Sequence, residues 1–138
     1  MAIDAGRLKH LELIQQAITR MANNSFLLKG WSVTLLAAIL AIAASKEGLH
    51  KLVWIGFLPL VAFWLLDGYF LRQERLYRKL WDQVRAQAQD QPSDFTMDAS
   101  AFSAEVPSWL QTCLSETLSI FHGVLFVVWL ALSVAVRE

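Results

Sequence analysis

The sequence predicts an all-α membrane protein with three transmembrane helices, over residues 26–45, 52–71 and 118–136. Three observations carry that expectation. Each run is apolar over about 20 residues, the length an α-helix needs to cross a hydrocarbon core of roughly 30 Å. The 138-residue chain is 56% hydrophobic and 17% charged and holds six tryptophans, a balance that suits lipid better than water as solvent. Its charges are also segregated, most lying before Phe26, between Arg72 and Glu116, or at the very end.

A chain of 1–138 has room for a single membrane domain. A formal net charge of zero supplies no basic field for nucleic acid. The single cysteine, Cys113, excludes an internal disulfide framework and leaves no zinc motif. Ala41, Ile42 and Ala43 resemble a signal-cleavage site, but the polar and amphipathic stretch before them is too long for a signal's n-region, so no secretory signal is expected.

In chain order, Asp4 offers an N-cap to an amphipathic helix over 5–24. Leu11, Ile14, Ile18 and Met21 recur on one side, with Leu8 and Ala17 beside them, and Lys9, Glu12, Gln16, Arg20 and Asn23 take the other. Such a helix either lies in the membrane interface or packs on other helices; few cations and one aromatic neighbour, Phe26, favour packing. The spans of 26–45 and 52–71 are separated by a short polar loop, so they form an antiparallel hairpin. Gly30, Thr34, Ala37, Ala41 and Ala44 make a stripe of small residues on the first span. Helices in lipid associate through such stripes by close packing. The simpler expectation is that the stripe seats the second span, and the further one is that it seats a neighbouring subunit.

Pro59 predicts a bend in the second span, where it removes a backbone hydrogen bond. Trp54 and Trp64 near the two ends read as interface anchors. The helix continues without a breaker as a basic arm over 72–88, and Arg72, Arg75, Arg78 and Lys79 are candidates for lipid headgroup contact. A loop follows over 89–108, and a last helix over 109–136, beginning near Pro107, contains the third span. Four cations before the first span and five after the second, against two in the hairpin loop and one at the C-terminus, place the N-terminus and the middle segment in the cytoplasm. The C-terminus then lies across the membrane.

Few residues offer chemistry. Lys29 and Asp67 are each 19 residues from Gly48 in the hairpin loop, so they sit at similar depth and are expected to pair near the inner interface. The alternative leaves Lys29 snorkelling to headgroups while Asp67 begins the cytosolic helix. His122, about one turn inside the third span, is a candidate polar intramembrane group. Asp90, Asp94 and Asp98 recur every four residues but lack the calcium-loop pattern, and read as a solvated acidic loop. No nucleophile–base arrangement, phosphate loop or dinucleotide fingerprint is present, so neither catalytic nor cofactor-binding nor metal residues are expected.

The runs RMANNSFLLKGWSVTL (20–35) and FWLLDGYFLRQERLYRKLWDQVR (63–85) resemble a group of small bacterial membrane proteins. The layout is similar, more distantly, to the RipA-type octameric membrane protein family, which shares an Arg- and Asn-containing lead-in to its first span and a basic helix rich in Trp and Tyr after its second. The third span departs from that pattern. The resemblance implies a bacterial inner membrane and homo-oligomerisation; it implies no substrate. In such a membrane the charge count puts the C-terminus in the periplasm. The expected role is therefore non-enzymatic: a homo-oligomeric structural or regulatory assembly engaging the bilayer and a cytosolic protein partner. The alternative is an oligomeric pore or membrane-disrupting effector.

Overall fold

The computed structural model describes residues 4–45, 51–88 and 91–135. The hairpin loop over 46–50, Asp90, and the end of the expected third span at 136 lie outside the described residues. Among these residues every regular element is helical: α1 (Ala5–Ser45), α2 (Leu52–Ile55), α3 (Phe57–Ala86), α4 (Trp109–Cys113) and α5 (Glu116–Ala135), with one 3₁₀ turn at Ser100–Phe102. Three helical stretches are long and apolar enough to cross a membrane: α1, the α2–α3 stretch and α5. Their outer faces, including Ile42, Leu58, Ile120, Val124 and Val127, are exposed large hydrophobics, which implies contact with a lipid bilayer.

No proline interrupts α1, and the amphipathic stretch and the first span form one helix of 41 residues. At about 1.5 Å per residue it is roughly 60 Å long, twice the thickness of the hydrocarbon core. It lies antiparallel to α3. Arg7 donates to the carbonyls of Val84 and Arg85 at one end, and Ala43 packs with Val53 near the other.

Two apolar clusters hold this pair together by different physics. The first joins Ile14 and Ile18 of α1 to Leu76, Leu80 and Val84 of α3, and so packs the N-terminal half of α1 on the C-terminal half of α3. It lies in the polar half of the molecule, where each fully buried side chain contributes about 1.5–3 kcal/mol through removal from water. The second joins Leu36 and Ala43 to Val53, Leu60 and Trp129 at the level of the apolar runs. There lipid is as apolar as leucine, so fit and close contact supply the attraction instead.

Two boundaries differ from the sequence expectation. The bend of the second span is at Gly56, between α2 and α3, and Pro59 sits in the first turn of α3. Proline cannot donate to the carbonyl four residues back and its ring crowds it, so the helix yields there. The last helix is two: Ser108, the residue after Pro107, caps α4 in a reciprocal capping box with Gln111, and the chain leaves the helix at Leu114 before α5 begins. The segment after α3 is the expected loop, with one 3₁₀ turn, and it is drawn across the helices as a strap. Ala99 is buried in the first cluster with Met97, Phe102 and Val106 against it, and Arg72 donates to the carbonyls of Pro107 and Ser103. Asp94 and Asp98 accept backbone N–H groups of Thr96 and Ser100, as turn-forming carboxylates, and no metal-ligating cluster occurs among the described residues.

The small-residue stripe does not seat α3. Gly30, Thr34, Ala37, Ala41 and Ala44 are all exposed, and α1 turns Ser25, Ser32, Leu36 and Ala43 inward instead.

The bend at Gly56 yields a contrast between two glycines. A Cβ on Gly56 would lie 2.3 Å from the Trp129 ring, whose indole N–H donates to the Val53 carbonyl at 3.0 Å. Gly56→Ala should therefore cost about 1–3 kcal/mol through overpacking, seen as a lower unfolding temperature in detergent. Gly30→Ala, with nothing among the described residues within 4 Å of the new Cβ, should hold or raise that temperature, because alanine is the better helix former.

The strap gives a second expectation. Hydrogen bonds from Ser100, side chain first and then backbone, hold the Asp98 carboxyl below the usual carboxylate range. A depressed folded-state value means the contribution is present once the unfolded-state carboxyl is ionised and is lost as pH falls through the folded value. Hydrogen exchange at the Ser100 amide should accelerate, relative to the acid-catalysed baseline, as pH drops through the acid range. Asp98→Asn should remove that pH dependence.

Candidate functional site

Between the two apolar clusters the α1–α3 seam is polar. Ser25 and Lys29 are one turn apart on α1, which puts both on the face toward α3. Asp67 faces them from α3 with no exposed surface, and His122, also fully buried, comes from α5. Ser25 Oγ donates to Asp67 Oδ1. Lys29 Nζ lies 2.5 Å from Asp67 Oδ2 and 2.9 Å from Ser25 Oγ. His122 Nε2 donates to the same Asp67 Oδ2 at 2.8 Å. One carboxylate thus binds donors from two other helices.

The need for this arrangement is electrostatic. A carboxylate taken out of water costs several kcal/mol unless its lone pairs are filled and its charge is matched. Here the ammonium of Lys29 matches the charge, while the serine hydroxyl and imidazole fill the remaining directions. His122 is held in turn by aromatic rings. It stacks on Trp64, with centroids 5.7 Å apart and planes within 9°, and meets the edge of Phe121 at 5.0 Å. Its other nitrogen, Nδ1, is buried without a partner among the described residues.

The neighbouring break between α4 and α5 belongs to the same construction. Trp64 Nε1 donates to the Cys113 carbonyl at 2.8 Å, and Trp109 Nε1 donates to the Leu65 carbonyl at 3.0 Å. Gly68 is required because a Cβ there would lie 2.2 Å from Cys113 Sγ. Trp64, half-buried, is therefore also an internal strut. Trp54, near the other end, is partly exposed.

The basic arm is largely committed within the protein. Arg72 holds the strap, Arg78 pairs with Glu74 at 2.7 Å, and Lys79 lies 3.6 Å from Glu105. Arg75 has no ion pair among the described residues. Sequence reasoning missed His10, which is fully buried: its Nε2–H donates to the Thr96 carbonyl at 2.7 Å and its Nδ1 accepts from Ser93 Oγ at 2.8 Å. The missed signal is its position one turn before Ile14, in line with the apolar face.

Charge pairing predicts coupling. Asp67→Asn should leave Lys29 without its counter-charge and lower stability by about 3 kcal/mol, the usual cost of breaking a buried pair. Lys29→Met combined with Asp67→Asn should cost clearly less than the sum of the two single changes, measured by thermal unfolding in one detergent.

No family model, curated protein or solved structure matches the chain.

Proposed function

We propose that this helical membrane protein is a non-enzymatic bacterial inner-membrane component that assembles with copies of itself and engages a protein partner through its paired cytosolic arms. The observation that carries the reading is the outward face of α1. Gly30, Thr34, Ala37, Ala41 and Ala44 are exposed along one side, while the chain's own core uses a different side. Small residues spaced in this way let two backbones approach closely, and close packing is what joins helices in lipid. Ser25, Lys29 and Asp67 also fall inside the two sequence blocks that resemble the bacterial membrane proteins.

The rival pore needs a polar stripe facing the axis of an oligomer. Ser32, His122 and Ser133 are buried inside the protomer, and the two serine hydroxyls donate to carbonyls of their own helices. Thr34 is exposed, but its hydroxyl donates to the Gly30 carbonyl. These placements favour assembly over conduction.

Mass measurement in lipid nanodiscs tests the proposal. The native chain should give a defined multiple of the protomer, and Gly30→Leu with Ala37→Leu should reduce it to one copy while the unfolding temperature stays within a few degrees of the parent. A native chain that is already a single copy would contradict the reading. Ion flux through liposomes holding the native assembly would favour the pore instead.

A further inference from the structure

We propose that Ser25, Lys29, Asp67 and His122 form a proton-binding site in which a proton taken up on His122 Nδ1 displaces Lys29 from Asp67. The inference rests on the helices being membrane spans but not on self-assembly.

Two donors share one acceptor atom. Lys29 Nζ and His122 Nε2 both bind Asp67 Oδ2, while Ser25 takes Oδ1. With His122 neutral, the charges of Lys29 and Asp67 cancel. His122 Nδ1 is then an empty lone pair, buried and unpartnered among the described residues, and it is the atom at which a proton adds. Its addition brings a second positive charge against a single carboxylate, in surroundings where an unmatched charge is costly.

The two cations differ in their means of escape. His122 has no exposed surface and is fixed between rings, whereas the Lys29 side chain is 22% exposed and sits at the end of a flexible stem. The flat stack on Trp64 further favours the imidazolium, since an indole face attracts a cation. Imidazolium and carboxylate then form the neutral pair, and the Lys29 ammonium moves outward to headgroups or water. The proton comes from the aqueous phase and no bond other than N–H forms. The titratable groups around His122 are Asp67 on α3, Lys29 on α1, and Cys113 on α4, whose thiol lies within the field of Asp67. This arrangement couples the seating of α5 on the hairpin to pH.

The test uses the full chain in phosphatidylcholine nanodiscs, with ¹⁵N-labelled histidine and lysine and ¹³C-labelled aspartate, followed by NMR across pH. His122→Gln identifies the His122 signals. At neutral pH His122 should show a protonated Nε2 and a bare Nδ1, and Lys29 Nζ should show a through-space contact to the Asp67 carboxylate. On acidification the imidazolium should appear and the Lys29 contact should vanish with the same midpoint. Lys29→Met should move that midpoint to a proton concentration about tenfold lower or less, and Lys29→Arg should leave it near the parent value. The proposal is overturned if the Lys29 contact persists after His122 is protonated, if His122 stays neutral until the protein unfolds, or if Lys29→Met leaves the midpoint in place. Should Lys29→Met fail to fold, the native chain alone decides through the shared midpoint.

Discussion

A carboxylate buried away from water sets the plan of this protein. Asp67 has no exposed surface and sits in a helix apolar enough to cross a membrane. Meeting its charge and its lone pairs requires Ser25 and Lys29 from α1 and His122 from α5. Three helices are thereby fixed in rotation and depth at one point. Elsewhere along the spans close packing acts, joined by indole hydrogen bonds such as that from Trp129 to the Val53 carbonyl. The polar junction supplies directional contacts that a slip of one residue would break.

The parts around the junction follow from that constraint. His122 needs a flat surface to stand against, and Trp64 provides it. The Trp64 indole N–H needs an acceptor, which it finds in the Cys113 carbonyl at the end of α4. The close passage of α4 over Gly68 brings that carbonyl within reach. On the polar side the strap closes the gap between α1 and α3, with His10 and Arg72 as its two polar fastenings.

Much of this was legible in the sequence. Run lengths named the spans, and equal distance from the turn brought Lys29 and Asp67 to one level before any contact was visible. What could not be read was helix phase. In soluble helices the inward face is the apolar one, and over 5–24 that rule worked. In the first span nearly every position is apolar, so periodicity carries no information, and the stripe of small residues drew attention to the outward side. The inward line runs through Ser25, Lys29 and Ser32, residues that a hydropathy reading assigns to the surface. His10 was missed for the same reason. The break between α4 and α5 carries no local signal, and the contact made there, from Trp64 to the Cys113 carbonyl, joins residues 49 positions apart.

The most direct measurement of this account is the distance between the ring nitrogens of His122 and the carboxyl carbon of Asp67, by dipolar recoupling in a hydrated lipid bilayer at neutral pH. The account predicts that Nε2 lies within hydrogen-bonding reach of the carboxylate while Nδ1 does not. Both nitrogens remaining beyond that reach would remove the junction on which the three-helix arrangement depends.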